Sequence, residues 1–212
     1  MEKEITDYLV KKFDPIAIIL HGSRASEFAK PHSDWDIYIF VNQDIEGREF
    51  VGERFMDQSL DGSLIKFPVD NQTIKDKLVA VSHNAKAVYD PEGYGEKLLQ
   101  QAREVRSFGV NLTQKEKDNK KLFMTRCVDR LRDSVENDAF FFFRLGTDFM
   151  RIALNNWFTI LHNEYSIPVY MSLPRIKKDD PEYYQALEKL WSKQDNSVKL
   201  EAAEYIFSRL FN

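Results

Sequence analysis

Two short apolar runs joined by a polar connection constrain the fold of this chain more than any other feature. The first run is followed by Gly22 and Ser23, and the second begins within Asp34-Trp35-Asp36. Side chains alternate between the two faces of a β-strand, so Asp34 and Asp36 are expected on one face and Trp35 on the other. Neighbouring carboxylates repel each other unless a cation lies between them, and hard oxygen ligands suit Mg²⁺, with Mn²⁺ as a second candidate. The pattern therefore predicts a strand, a turn and a second strand with a metal site.

The Gly-Ser turn predicts a phosphate site beside the metal. Glycine lets backbone N–H groups approach a phosphate, and the start of the following helix attracts negative charge. Gly22 and Ser23 are thus expected to bind phosphates, with Arg24 as a further contact and Ser33 hydrogen-bonded near the metal loop. His21 is expected to be a packed turn residue, because no second histidine or cysteine lies near it at metal-binding spacing.

Composition limits the class of protein. The chain has 212 residues, of which 43% are hydrophobic, enough for one large domain or two small ones. Its formal net charge of -4 gives no reason to expect a nucleic-acid partner. The single cysteine, Cys127, is expected in the core and fits a reducing cytoplasm. Without a signal-peptide pattern or an apolar run of membrane-spanning length, a cytoplasmic protein with no membrane partner is expected.

Hydrophobic periodicity predicts two halves of different architecture. The first half is predicted to be an α/β unit of four or five strands with helices on one side. Its predicted strands are 16–20, 34–41, 63–69 and 85–89. Its predicted helices are 2–13, 24–29, 43–59, 71–82 and 95–106.

The pattern breaks at 107–113, and the rest of the chain has helical periodicity. The predicted helices of this half are 115–143, 148–163, 181–191 and 197–211. The sequence thus predicts an α+β protein with domains at 1–108 and 113–212, the second being a helical bundle.

Gly22-Ser23, ten residues and then Asp34-x-Asp36 resembles the signature of the polymerase-β-like nucleotidyltransferase superfamily. The order of an α/β half and a helical half also resembles aminoglycoside adenylyltransferases, whose helical domain helps to bind the acceptor. In the first half, the similarity covers residues 16–95. The resemblance implies a nucleotidyltransferase-like mixed sheet followed by a helical bundle. It also implies transfer of AMP from Mg-ATP, or of another nucleoside monophosphate, to a hydroxyl of a small-molecule, aminoglycoside-like acceptor.

A third carboxylate is expected from the resemblance on the next strand, in a pattern like Asp-Gly-x-x-Ile-Asp. Here Asp61-Gly62 predicts a turn, and Lys66 stands where the last aspartate is expected. A lysine at that position repels a divalent ion and disfavours a second metal. Lys66 is therefore expected to bind a phosphate of the nucleotide, or else to pair with Asp34 or Asp36.

Three acids remain as candidates for a general base. Asp70 is the candidate in the first half, and Glu136 or Asp138 would supply the base from the helical half. The aromatic run 140–143 beside the last two acids is expected in the bundle core. Lys66 also motivates a second interpretation: a catalytically weakened nucleotide-binding or regulatory protein of the same fold that acts on a protein partner.

Overall fold

The computed structural model describes residues 1–45, 50–136, 139–192 and 195–212, without the side chains of 139–141. These residues form two compact units, Met1–Phe108 and Gly109–Asn212. The first unit contains a mixed sheet with helices and the second is helical, which confirms the predicted α+β class. That the two units act as a catalytic domain and an acceptor-binding domain stays a prediction. In the described ranges, no helix is long and apolar enough to cross a membrane.

The first unit is built around a five-stranded sheet with the strand order β3-β4-β2-β1-β5. The strands are β1 (Ala17–His21), β2 (Trp35–Val41), β3 (Phe50–Phe55), β4 (Gln58–Lys66) and β5 (Lys86–Tyr89). Neighbouring strands are antiparallel except for β2 and β4, which are parallel. The central strand β2 therefore has β1 on one side and β4 on the other, so residues from three strands meet near the start of β2.

Helices cover both faces of this sheet, which corrects the expectation that they lie on one side. Helix α1 (Glu2–Phe13) packs Ile5 and Leu9 into a core cluster with Ile18 and Leu20. The other helical segments of this unit are α2 (Asn71–Thr73), a π-helical turn (Ile74–Leu78), α3 (Val79–Val81) and α4 (Tyr94–Ser107). Helix α4 lies on the opposite face, because a Cβ atom at Gly95 would be 3.2 Å from the Cβ of Ala17. Both faces of β1 are thus buried, which explains its continuous apolar sequence.

The helix predicted over 43–59 is wrong, since this region contains the β3–β4 hairpin. Phe55 pairs with Gln58, and the two residues between them, Met56 and Asp57, have φ angles of 48° and 62°. Positive φ at both central residues is the geometry of the tight turns that fit the twist of paired strands. Asp61-Gly62, predicted as a turn, lies inside β4 instead.

Gly62 is required inside β4 because of its neighbour on β2. A Cβ atom at Gly62 would lie 2.9 Å from Cγ1 of Ile37, a side chain that is only 2% exposed. We expect Gly62→Ala to lower the free energy of unfolding by about 1–3 kcal/mol, the usual cost of overpacking. Urea denaturation measures this change.

Gly52→Ala on β3 is the matched control for that substitution. The three atoms nearest to its added Cβ all belong to the ring of Phe50, which is 68% exposed and can rotate away. The control should change the free energy of unfolding by no more than about 0.5 kcal/mol. Equal effects of the two substitutions would show that Ile37 does not limit the space at Gly62.

The second unit consists of helices α5 to α9. Their bounds are α5 (Gln114–Ser134), α6 (Ala139–Asn156) followed by a π-helical turn (Trp157–Leu161), α7 (Val169–Asp179), α8 (Pro181–Trp191) and α9 (Asn196–Phe211). The helix predicted over 115–143 is two helices, and α7 was not predicted. Helix α5 begins with a capping box formed by Thr113 and Glu116, and Asp180 caps α8 as its Asp-Pro start predicts.

Cys127 lies in the core of this unit, as predicted. The aromatic run is divided, with Phe142 2% exposed and Phe143 66% exposed, so only part of it is core. Glu136 is exposed. Asp138 lies outside the described residues.

Candidate functional site

The predicted Gly-Ser turn follows β1 directly and has an unusual backbone. Gly22 has φ 69° and ψ -154°, and Ser23–Ala25 form a single 3-10 turn. Asn84, far along the chain, donates a hydrogen bond of 2.8 Å from Nδ2 to the carbonyl oxygen of Gly22. The first N–H groups of a helical turn have no acceptor within that turn, so they are available to an anion. The hydrogen bond from Asn84 holds the turn in this conformation, and phosphate binding by Gly22 and Ser23 stays a prediction.

Gly22 is in direct contact with the carboxylate of Asp36. A Cβ atom at Gly22 would lie 2.0 Å from Oδ2 of Asp36, a distance that no pair of nonbonded atoms tolerates. The absence of a side chain at Gly22 therefore brings the turn and the acidic strand together. This contact brings Gly22 and Asp36 together, and the assignment of Gly22, Ser23 and Asp36 to one binding site stays a prediction.

Asp61 is the acid that faces Asp36 across the parallel strands. The β2–β4 register pairs Asp36 with Asp61, and paired residues of parallel strands lie about 5 Å apart on the same face of the sheet. The pKa of Asp36 is raised to about 6, most strongly by burial and in addition by the charges of Asp61 and Asp34. These three carboxylates thus form one electrostatically coupled group.

The raised pKa of Asp36 predicts a pH-dependent effect on stability. An acid with a raised pKa binds its proton more readily in the folded state than in the unfolded state. The free energy of unfolding therefore falls as pH rises from the ordinary value of 3.8 through about 6. Asp36→Asn has no charge to bury, so we expect it to raise the melting temperature by about 2–5 °C near pH 8 and by much less near pH 4. Differential scanning fluorimetry without divalent ions measures this difference.

Asp57→Asn is the control for that experiment, because Asp57 is an exposed acid at the tip of the β3–β4 turn. It should leave the melting temperature unchanged at both pH values. Adding Mg²⁺ near pH 8 should raise the melting temperature of the unmodified protein and not that of Asp36→Asn. If the melting temperatures of the unmodified protein and Asp36→Asn changed equally with pH, the pKa of Asp36 would not be raised by its surroundings.

The ring of His21, at the end of β1, packs beside the start of β2. His21 pairs with Asp36 across β1 and β2, and its ring centroid lies 4.4 Å from that of Tyr38. Burial, with a smaller contribution from His83, lowers the pKa of His21 to about 4, so its ring is neutral at physiological pH. This agrees with the expectation that His21 is a packed residue.

Arg24 and Ser33 shape the loop between β1 and β2. Arg24 donates hydrogen bonds of 3.0 Å to the carbonyl oxygens of Ser33 and Pro31, and one of 2.8 Å to Oε1 of Gln58. Its guanidinium carbon lies 5.2 Å from the ring centroid of Trp35. The hydroxyl of Ser33 accepts a hydrogen bond of 2.9 Å from the N–H of Lys30. These contacts fix the loop that precedes Asp34, and the predicted contact of Arg24 with a triphosphate stays a prediction.

Lys66 does not occupy the third-carboxylate position, and that prediction is wrong. The register pairs Lys66 with Val41, five residues beyond the pair of Asp36 and Asp61. Five residues correspond to about 16 Å along a strand, and an odd number places the side chain on the opposite face. The ammonium of Lys66 lies 3.4 Å from Oδ1 of Asp44 instead.

Asp70 is also not brought to the acidic group. It lies beyond the end of β4, where its carboxylate accepts a hydrogen bond of 2.7 Å from the N–H of Thr73 and caps α2. This backbone hydrogen bond lowers the pKa of Asp70. Asp70 and Lys66 line a separate pocket of about 610 Å³ at the far end of β4.

Sequence reasoning missed Asp61 and Asn84 as site residues. Alternation along β4 provides a signal for the first, since Asp61, Ser63 and Ile65 share one face while Leu60 and Leu64 belong to the core cluster of the other. No comparable signal exists for Asn84, which reaches the turn only through the tertiary fold.

The chemistry of the three carboxylates, those of Asp34, Asp36 and Asp61, fits a divalent cation. Among the residues that the structure describes, no three His, Cys, Asp or Glu side chains already converge closely enough to hold a metal ion. However, Asp36 and Asp61 are neighbours in the sheet, and Asp34 is near enough to raise the pKa of Asp36. A divalent cation would relieve this repulsion, and carboxylate oxygens are the ligands that Mg²⁺ and Mn²⁺ prefer.

The first unit thus combines a mixed sheet with a glycine turn packed against neighbouring carboxylates. Residues 3–87 match the family model described as "Polymerase beta, Nucleotidyltransferase". This part of the chain is therefore a domain of the polymerase-β-like nucleotidyltransferase superfamily, which confirms the resemblance found in the sequence. The match indicates nucleotidyl transfer, and the family generally uses a nucleoside triphosphate and a divalent metal.

A solved structure gives a further comparison. The chain is similar to a nucleotidyltransferase-like protein from Exiguobacterium sibiricum, with 12% sequence identity and a TM-score of 0.49. The alignment covers 99% of this chain and 75% of the other. No curated protein matches the chain significantly.

Proposed function

We propose that this chain transfers a nucleoside monophosphate from a nucleoside triphosphate, with ATP as the first candidate, to a hydroxyl of a small molecule. The observation behind the proposal is the pairing of Asp36 with Asp61, with Gly22 packed against the carboxylate of Asp36. This arrangement puts an anion-binding turn next to a group of carboxylates, and both are needed to hold a metal-bound triphosphate.

In this proposal the site residues have separate roles, namely phosphate binding, metal binding and proton removal. Gly22 and Ser23 bind phosphate oxygens through backbone N–H groups and the serine hydroxyl. Asp34, Asp36 and Asp61 would hold Mg²⁺ or Mn²⁺, which when bound supplies charge neutralisation for the triphosphate. Asp61 is the residue that we propose as general base, in place of Asp70.

The transfer step follows from these positions. The acceptor hydroxyl oxygen bonds to the α-phosphorus, and the bond from that phosphorus to the oxygen bridging to the β-phosphorus breaks. Pyrophosphate leaves with the electron pair of that bond, and Asp61 takes the hydroxyl proton. In-line geometry and charge stabilisation provide most of the catalysis in such reactions.

The second interpretation, a catalytically weakened protein of the same fold, was motivated by Lys66 at the third-carboxylate position. The structure removes this motivation. Lys66 lies about 16 Å along β4 from Asp61 and pairs with Asp44, so it does not oppose a metal at the acidic group. The aminoglycoside-like acceptor is proposed from the sequence resemblance and the order of the two halves, and a cytoplasmic location stays a prediction from the sequence.

Pyrophosphate release is the direct test of the proposed function. The full chain is mixed with Mg²⁺, one of the four common nucleoside triphosphates and a panel of hydroxylated small molecules, and coupled detection follows the product. Calorimetry with Mg²⁺ and a non-hydrolysable analogue of each of the four triphosphates is run in parallel. Magnesium-dependent nucleotide binding together with acceptor-dependent release supports the proposal. Absence of nucleotide binding with every base contradicts it.

A further inference from the structure

The core-facing stripe of helix α5 contains a charged residue where its pattern requires an apolar one. Met124, Cys127, Val128 and Leu131 are buried at the spacing of one helix face. Lys120 lies four residues before Met124 and therefore belongs to the same face. The side chain is only partly exposed, and burial lowers its pKa. A lysine in this position costs stability, which indicates a role other than packing.

Lys120 is held by a buried amide and not by a carboxylate. Its ammonium donates a hydrogen bond of 2.9 Å to Oδ1 of Asn156, and the amide nitrogen of Asn156 lies 3.0 Å from the sulfur of Met124. Asn156 is 1% exposed, so its two contacts fix the direction of the lysine side chain. In the described parts of the chain, Lys120 has no ion-pair partner within 4.0 Å.

The nearest acid on the same helix is already engaged. Glu116 lies one turn before Lys120, and its carboxylate accepts hydrogen bonds of 2.7 Å from both the N–H and the hydroxyl of Thr113. These bonds lower the pKa of Glu116 and hold it in the capping box of α5. The positive charge of Lys120 is thus positioned and partly desolvated, with the charge of Glu116 nearby but not in an ion pair with it.

Lys120 lines a pocket of about 450 Å³ between α5 and α6, which we term the α5–α6 pocket. Its lining residues are Asn119, Lys120, Phe123, Arg151, Ile152, Asn155 and Asn156. This lining includes two cations and three amides, and no carboxylate among the residues that the structure describes.

Two features of the lining indicate what a ligand would contain. The guanidinium of Arg151 has no ion-pair partner within 4.0 Å in the described ranges, so a second cation faces the pocket without a bound acid. Phe123 is a large apolar residue that is 53% exposed at the same place, beside Ile152. Pockets for small molecules combine such apolar walls with a few converging polar groups.

We propose that the α5–α6 pocket binds a small molecule in which a phosphate or carboxylate group is attached to an apolar or aromatic group. The oxyanion pairs with Lys120 and Arg151, since cations hydrogen-bond strongly to such oxygens. Asn119 donates to a remaining oxygen, since the amide nitrogens of Asn155 and Asn156 already donate to Ser166 and Met124. The apolar part of the ligand covers Phe123. The proposal concerns the second unit alone and holds whether or not the chain transfers nucleotides.

Phenyl phosphate, benzoate and inorganic phosphate are the anionic probes for this proposal. The polycation kanamycin is the control ligand of opposite charge. Isothermal calorimetry on the full chain measures each one, with ¹H–¹⁵N NMR to follow the amide signals of Asn155 and Asn156. We expect phenyl phosphate or benzoate to bind with Kd of about 1 mM or tighter. Inorganic phosphate should bind at least about 10-fold more weakly, because it lacks the apolar group. Comparison of phenyl phosphate with benzoate identifies the preferred oxyanion.

Lys120→Met should weaken binding of the better probe at least about 10-fold. Lys121→Met is the matched control, because Lys121 is exposed, adjacent in sequence and not part of the pocket lining. It should leave the affinity unchanged. Arg151→Met is a second test at an exposed position, which keeps the proposal testable if Lys120→Met does not fold.

Several outcomes would overturn the proposal. They are no binding of any anionic probe near about 10 mM, equal losses in Lys120→Met and Lys121→Met, or kanamycin binding as tightly as the anions. Unchanged affinity in folded Lys120→Met and Arg151→Met would overturn it as well.

Discussion

Asp61→Asn is expected to lower kcat for nucleotidyl transfer by about 10²- to 10³-fold. The substitution removes a negative oxygen from the carboxylate group that would hold the metal, and it also removes the proposed general base, which alone contributes about 10²- to 10⁴-fold in enzymes. Asp61 is exposed, so the free energy of unfolding should change by no more than about 0.5 kcal/mol. The rate of pyrophosphate release and a urea denaturation curve measure the two effects.

Two variants on the same hairpin serve as controls for Asp61→Asn. Asp57→Asn removes an exposed acid at the turn, and Lys66→Met removes the cation at the far end of β4. Both should retain activity within about 3-fold, because neither side chain is placed near the pair of Asp36 and Asp61. If Lys66→Met lost as much activity as Asp61→Asn, the register between β2 and β4 would not explain the site.

A second readout makes this prediction independent of the acceptor. Asp61 is one of the charges that raise the pKa of Asp36. In Asp61→Asn, the pKa of Asp36 should therefore fall below about 6, which NMR titration of a carboxyl-labelled sample measures. An unchanged pKa would show that Asp61 lies too far from Asp36 to act with it.

The error about Lys66 shows why the sequence alone did not place Asp61 beside Asp36. Asp-Gly is one of the strongest short signals for a tight turn, so a turn was the natural prediction at Asp61-Gly62. The actual turn, Met56-Asp57, contains no glycine, and its positive φ angles come from the hairpin that surrounds it. Gly62 is instead a strand residue that makes space for Ile37. Local turn preference was overridden by packing between strands.

Elements with one strong periodicity were predicted well. Helix α1 was predicted at its observed bounds, and β1, β2, α4, α8 and α9 lie within a residue or two of their predicted positions. Each of them buries one clear face or is buried on both faces. Contacts between segments far apart in the sequence were not predictable. Examples are the hydrogen bond from Asn84 to Gly22 and the one from Lys120 to Asn156. Such contacts leave no periodic signal because each partner looks like an ordinary polar residue in its own segment.

Gly22→Ala is the second substitution with a large expected effect, and it should abolish nucleotide-dependent activity. The backbone at Gly22 has φ 69° and ψ -154°, a region that only glycine adopts readily, and other residues there cost about 1–3 kcal/mol. The added Cβ would also lie 2.0 Å from Oδ2 of Asp36, so that carboxylate must move. We therefore expect a fall in the free energy of unfolding of about 2–4 kcal/mol and loss of magnesium-dependent nucleotide binding. Urea denaturation and calorimetry measure these two changes.

Gly93→Ala separates the backbone cost from the clash. Gly93 also has a positive φ, of 74°, but apart from its neighbours along the chain no atom lies within 4 Å of its added Cβ. It should cost only about 1 kcal/mol and leave nucleotide binding intact. The double variant Gly22→Ala with Asp36→Ala removes the clashing oxygen, so its destabilisation should be smaller than the sum of the two single changes by about 1–2 kcal/mol. Additive effects would show that Asp36 moves away freely. Such freedom would contradict a site in which the glycine turn and the metal-binding strand are held in one fixed geometry.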